Sequence, residues 1–141
     1  MEIFKIPDKS VWQVFAKHHY LSHAHNNAAH VYVCFIDGKL AGFLSVLHFP
    51  HPKVKNMKKV HRLVILPDYQ GAGFGIKFLN EIGNKYKDEG FRYTIVTSSP
   101  SLVHALKGRK EWACINHGRK RDSNNITSGS HNRITTSWEL K

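Results

Sequence analysis

Apolar residues in this chain fall into short runs and helix-spaced stripes, separated by turn-forming residues. Ile3 to Ile6 reads as a short strand or extended lead-in. From Ser10 to about Tyr20, Val11, Trp12, Val14 and Phe15 recur at helical spacing. With Asp8 or Ser10 as N-cap, that spacing predicts an amphipathic helix. Leu21 to Ala29 is polar and histidine-rich and reads as a loop. Val31 to Ile36 is β-branched and aromatic, Asp37-Gly38 is a two-residue hairpin turn, and Leu40 to Phe49 is the partner strand. A proline-containing loop over His48 to Asn56 leads into a further strand, Met57 to Leu66.

After a glycine-rich turn, Ile76, Phe78, Leu79, Ile82 and Tyr86 lie close to one helical face, and Gly90 suits the left-handed position that ends a helix. Phe91 to Thr97 is a strand. Ser99 as N-cap and Pro100 at the first position open a helix that runs to about Lys107. Trp112 to Ile115 and Ile134 to Leu140 form a closing pair of strands. Asn116 to Asn132, poor in apolar residues, reads as a long, mobile hairpin loop. The order β-α-β-β-β-α-β-α-β-β predicts an α/β fold. It fits an α+β sandwich with a mixed, mostly antiparallel sheet flanked by helices, in a single domain over residues 1–141.

Composition is that of a globular chain, with 41% hydrophobic residues to build a core. No apolar run approaches the ~20 residues needed to span a bilayer, and the stretch MEIFKIPDKS lacks the apolar region of a signal peptide. Cys34 and Cys114 sit in apolar or aromatic surroundings without CxxC or CxxH spacing. The expectation is free thiols in a reducing cytoplasm. Charge changes the picture more. Twenty-one Lys and Arg against ten Asp and Glu give +11, more than solubility or a small anionic ligand requires. It points to a polyanionic partner, a nucleic acid. Lys107, Arg109, Lys110, Arg119, Lys120 and Arg121 are the expected phosphate contacts.

The most informative stretch is Val60 to Gly75, VHRLVILPDYQGAGFG. A strand, a turn with Gln70, Gly71, Ala72, Gly73, Phe74 and Gly75, and then a helix can offer main-chain N–H groups to a phosphate. Glycines allow close approach, and the helix N-terminus favours negative charge. No GK[ST] follows Gly75, so this is not a Walker A loop. The spacing G-x-G-x-G is not the G-x-G-x-x-G of dinucleotide folds, and no βαβ unit with a ribose-binding acid is evident. A plain tight turn is the remaining local alternative.

The segment resembles the acyl-CoA loop of the GNAT acetyltransferases, with the signature Q/R-x-x-G-x-G/A after a strand ending near a proline. Gln70, Gly73 and Gly75 fill the signature, and Leu63, Ile65 and Pro67 fill the strand positions. The resemblance implies acetyl-CoA as cosubstrate. Its pyrophosphate would lie on the loop amides, and its pantetheine arm on main-chain groups of Leu63, Val64 and Ile65. Ser98 and Ser99 are further candidates for the pantetheine or the thiolate, with helix capping the alternative for Ser99.

In that family the base is commonly a glutamate on the strand before the loop. Here the positions hold His61 and Arg62. An imidazole, with an ordinary pKa of ~6.5, suits a base; a guanidinium does not, and would bind an anion. The family's tyrosine acid has no counterpart in Lys110-Glu111-Trp112. Tyr69 and Tyr93 are available, with nothing to single them out. In the run Lys17 to His25, three readings stay open. His19 and Tyr20 could hold and deprotonate a nucleobase amine, with the ring stacking on the base. His19 and His23 could share a metal with His25 or His30, although no metal set is assigned. Or the histidines could simply favour a helix C-terminus.

A His-Tyr pair ahead of a GNAT core, with an arginine on the strand before the loop, is also similar to the Mom-type DNA modification proteins of phages and related GNAT-like domains of mobile elements. That similarity implies modification of the adenine N6 amine in DNA, with His19, Tyr20 and Arg62 in the site and Asp122 as a weaker candidate. DNA is preferred to RNA as partner. Oligomeric state is left open, a homodimer being one option.

Overall fold

The computed structural model describes residues 1–7, 11–16, 28–49, 53, 55–117 and 135–141. Two compact units divide the chain, Met1–Tyr93 and Thr94–Lys141. The elements are β1 (Glu2–Ile6), α1 (Trp12–Phe15), β2 (His30–Ile36), β3 (Lys39–His48), β4 (Met57–Ile65), a 3-10 turn (Pro67–Tyr69), α2 (Phe74–Asp88), β5 (Arg92–Thr97), α3 (Pro100–Lys107), β6 (Trp112–His117) and β7 (Thr136–Leu140). The architecture is α/β, with mixed strands flanked by helices, as the hydrophobic pattern predicts. Its strands run β1-β2-β3-β4 in the first unit and β5-β7-β6 in the second, antiparallel in each of these pairings.

In the first unit, Asp37 and Gly38 both take positive φ (51° and 76°). That is the two-residue turn whose twist matches the flanking strands, so it sets the β2–β3 register. Directly opposed residues share a sheet face. Val33, Phe43 and Val64 are aligned in this way across β2, β3 and β4. They bury with Val31 against Trp12 and Phe15 of α1. Trp12 and Phe15 tilt onto Phe43 with ring centroids 5.0 and 5.4 Å apart. Each such fully buried side chain contributes about 1.5–3 kcal/mol.

The other face carries α2, whose Ile76, Phe78, Leu79, Ile82 and Tyr86 are buried. Tyr86 and Tyr32 share a hydroxyl–hydroxyl hydrogen bond of 2.7 Å. Gly42 lies in this tight layer, where a Cβ would come within 2.7 Å of Cys34 Sγ and 2.9 Å of Ile65 Cδ1. In the second unit β7 is the central strand, and Trp112, Trp138 and Leu140 are buried.

Several boundaries differ from expectation. α1 spans only Trp12–Phe15 among the described residues, and Val11 occupies its N-cap without a side-chain bond. α2 starts at Phe74 rather than Ile76, because Gly73 turns the chain directly into it. β6 extends to His117 across a bulge, so the basic loop begins later; most of that loop, and Ile134, lie outside the described residues. Ser99 takes the N-cap position of α3, but its side chain does not cap it. Ser99 Oγ is engaged with Ser101 Oγ at 3.2 Å, while the Ser99 N–H donates to Thr97 Oγ1 at 3.1 Å. Cys34 is buried and Cys114 exposed, both as thiols. Among the described residues, no helix is long and apolar enough to cross a membrane.

Candidate active site

The glycine loop takes its shape from the strand before it. Leu66 N–H donates to Ala41 O, Tyr69 N–H to Leu66 O and Gln70 N–H to Pro67 O, which turns the chain sharply after β4. Gln70 then reaches back, its Nε2 donating to Ile65 O at 2.7 Å. The glutamine of the signature is therefore a latch between loop and strand. Gly71 and Gly73 have φ of 85° and 81°, where a side chain would be strained. A Cβ at either would meet nothing within 4 Å, so their outer side is open. Gly75 differs. It is an ordinary helical residue whose Cβ would rest 3.6 Å from Ile65 Cγ1, and it lets α2 lie close to β4.

α2 has fifteen residues and starts from Gly73 with no side-chain cap and no acid in its first turn. The N–H groups of Phe74, Gly75 and Ile76 have no acceptor within the helix; the first intrahelical bond runs from Lys77 N–H to Gly73 O. Uncapped amides, the positive end of a helix and an open glycine surface converge here. This donor set fits a pyrophosphate. Val64 buries its side chain in the core, and Leu63 and Ile65 are half-buried.

Two residues upstream of Leu63 the strand is irregular. Ser45 opposes Arg62 and Val46 opposes Val60, so His61 is the extra residue of a β-bulge. Bulges re-aim side chains. Here the Arg62 guanidinium folds over its neighbour, Nη1 donating to His61 O at 2.9 Å and lying 3.4 Å from His61 Nδ1. A guanidinium can only donate, so Nδ1 accepts and the ring hydrogen sits on Nε2. In this arrangement the histidine lone pair faces Arg62.

The Ser45 hydroxyl, on the strand opposite, is fully buried and has no hydrogen-bond partner. Nothing in the apolar run Leu40 to Phe49 marks it out; its significance comes only from the cross-strand register with Arg62.

The remaining candidates are scattered. Ser98 and Ser99 belong to the second unit and are half-buried. Tyr93 is wholly buried, and burial holds its phenol well above its ordinary range, which removes it as a proton donor to substrate. Tyr69 is half-buried beside the loop. Lys107, Arg109 and Lys110 are exposed at and after the end of α3, where Arg109 lies 3.9 Å from the Glu111 carboxylate. His30 is exposed at the start of β2. His19, Tyr20, His23, His25, Arg119, Lys120, Arg121 and Asp122 lie outside the described residues. Among the described residues, no group of three or more His, Cys, Asp or Glu is placed to hold a metal ion.

Comparison with known proteins agrees with this geometry. Residues 1–107 match the Acetyltransferase (GNAT) family. No curated protein sequence matches the chain. Among solved structures, an IAA acetyltransferase from Bacillus cereus superposes with a TM-score of 0.73 at 18% identity, covering 99% of this chain and 97% of that one. The ribosomal-protein-S18-alanine N-acetyltransferase of Escherichia coli gives 0.71 at 13% identity, covering 99% and 92%. A GNAT acetyltransferase from Elizabethkingia anophelis with acetyl-CoA bound gives 0.63 at 10% identity, covering 99% and 97%. With a family match over three quarters of its length, the chain belongs to the GNAT acetyltransferases, acetyl-CoA-dependent N-acyltransferases.

Proposed function

We propose that this acetyltransferase acts on a nucleic acid, with the adenine N6 amine of DNA as acceptor, as the Mom-type resemblance implies. The observation that carries the reading is the cationic character of β4. Where the family commonly has a glutamate, this strand reads Met57-Lys58-Lys59-Val60-His61-Arg62, in a chain of net charge +11. Cations beside the acceptor disfavour a polycationic substrate and favour a phosphate-bearing one. Residues 1–141 act as one catalytic domain, in the cytoplasm.

Bound acetyl-CoA supplies an acetyl group already activated as a thioester. The loop amides of Gly71 to Ile76 hold its pyrophosphate, and main-chain groups of Leu63 to Ile65 hold the arm in line with the acceptor. Arg62 anchors a phosphate of the acceptor and thereby frees His61 Nδ1 to take the proton that the amine loses as its C–N bond forms and the C–S bond breaks. His19 and Tyr20 hold the base, the tyrosine ring by stacking. Lys107, Arg109, Lys110, Arg119, Lys120 and Arg121 contact phosphates elsewhere on the strand.

Expression in a bacterial host, followed by mass analysis of nucleosides from digested DNA and RNA, tests the reading. An acetylated adenine in DNA is expected. Unmodified nucleosides together with acetylated protein amines would replace it with a second reading, favoured by the ribosomal-protein acetyltransferase among similar structures.

A further inference from the structure

The other end of β4 carries lysines that acyl transfer does not use. Lys58 Nζ sits 4.6 Å from the Phe91 ring centroid and 5.7 Å from that of Tyr86. Lys85 Nζ, from α2, sits 5.7 Å from the same Tyr86 ring and 5.3 Å from Tyr32, and donates to the Tyr32 hydroxyl at 3.5 Å. Two ammonium groups thus share one aromatic ring and form a pair. The rings hold both side chains in place, so less rotamer freedom is lost on binding.

No carboxylate among the described residues lies within ion-pair distance of either lysine. α2 ends at Asp88 with Glu89 as its C-cap, and neither carboxylate is within ion-pair distance of Lys85. Around the pair the charge is one-sided. From Lys39 to Leu66 the sequence has six cations and no Asp or Glu. Lys59, adjacent on β4, lies 5.0 Å from the half-buried Phe49 ring. Arg92 is tied to this end by its N–H, which donates to Asn56 O at 2.7 Å.

Cations beside the half-buried rings of Phe49 and Phe91 match a chain that alternates phosphates with flat bases. An acidic peptide would use the cations and leave Phe49 and Phe91 idle. Lys58 also lies on the strand that bears His61 and Arg62. Lys58 and Arg62 are four residues apart, roughly 13 Å at ~3.3 Å per residue. An exocyclic amine is reached only when its base is out of the duplex.

We propose that a single-stranded segment of nucleic acid lies along the N-terminal half of β4, with two of its phosphates on Lys58 and Lys85. This rests on the nucleic-acid reading of the acceptor, but binding can be measured without turnover. The test uses the full chain and a short fluorescein-labelled single-stranded DNA, followed by anisotropy over a range of salt. Replacing Lys58→Gln together with Lys85→Gln should weaken binding at least about tenfold at low salt. Loss of two phosphate contacts should make the log–log salt slope shallower by about 1.4.

Acetyl-CoA affinity should stay at wild type, and the charge-keeping pair Lys58→Arg and Lys85→Arg should restore the slope. In the wild type, the same oligonucleotide should protect Lys58 and Lys85 from an amine-reactive reagent. An unchanged slope, unprotected lysines, tighter binding to a duplex of the same sequence, or equal displacement by polyglutamate at matched ionic strength would each overturn the proposal. Retained lysine-dependent binding without any modified nucleoside would leave the docking surface standing and remove the acceptor assignment instead.

Discussion

The two ends of β4 present donors suited to anions by opposite means. At the C-terminal end the chain offers main-chain amides: Gly71 and Gly73 in left-handed conformations, then the uncapped first turn of α2. At the N-terminal end it offers ammonium groups held over Tyr32, Tyr86 and Phe91. Amides in a preset loop recognise one fixed shape and are indifferent to the side chains around them. Lysines on rings can adjust to successive phosphates of an irregular polymer. The difference suits a small constant cosubstrate at one end and a variable acceptor at the other, with His61 and Arg62 between them.

The comparison breaks most visibly at its middle. His61→Ala should lower turnover by about 10²- to 10⁴-fold, the usual contribution of a general base, while leaving acetyl-CoA binding unchanged. Single-turnover kinetics with saturating cosubstrate would read this directly. A rate within a few-fold of wild type would move the proton transfer elsewhere on the acceptor side.

A smaller effect is expected beneath the strand. Gly42→Val should destabilise the protein by about 1–3 kcal/mol, because the new Cβ meets Cys34 Sγ and Ile65 Cδ1 in a filled layer. Thermal unfolding measures it. Since Ile65 also accepts the Gln70 latch, acetyl-CoA affinity should fall in parallel, whereas binding of single-stranded DNA should change little.

The glycine end can be separated from its own conformational strain. Asparagine tolerates the left-handed region, so Gly73→Asn should keep the fold and the melting temperature close to wild type. Its side chain would cover the open face where a pyrophosphate must approach, and acetyl-CoA affinity should drop at least tenfold, about 1.4 kcal/mol. Calorimetry that finds wild-type affinity in a folded Gly73→Asn protein would remove the loop from the coenzyme site.

The smallest effect is a pH dependence of the shared core. Burial pushes the Cys34 thiol from 9.0 up to about 11. Below about pH 9 both folded and unfolded chains keep the proton, and stability does not vary on this account. Between about pH 9 and 11 the unfolded chain releases it and the folded one does not, so stability falls as pH rises. Cys34→Ala should flatten the decline in melting temperature over that window; an identical slope would show that other groups govern it.

Local chemistry made much of this protein readable from its sequence. Asp37-Gly38 specified a hairpin because aspartate and glycine tolerate the positive φ angles of the tight two-residue turn that joins such strands. Leu63 to Gly75 specified strand, turn and helix, because proline, glutamine and glycine each restrict a few adjacent bonds. Residues three and four apart marked the buried face of α2. Tertiary structure decided what depends on partners distant in the chain. Ser99 looked like a capping side chain, yet a neighbouring serine engages its hydroxyl. The bulge that singles out His61 exists only in the register against Ser45 and Val46. Lys58 and Lys85 became a pair through Tyr86, itself bonded to a tyrosine 54 positions away. Turn and helix signals act over a few bonds and are written in adjacent letters, whereas register, burial and the pairing of charges are set only when distant segments pack.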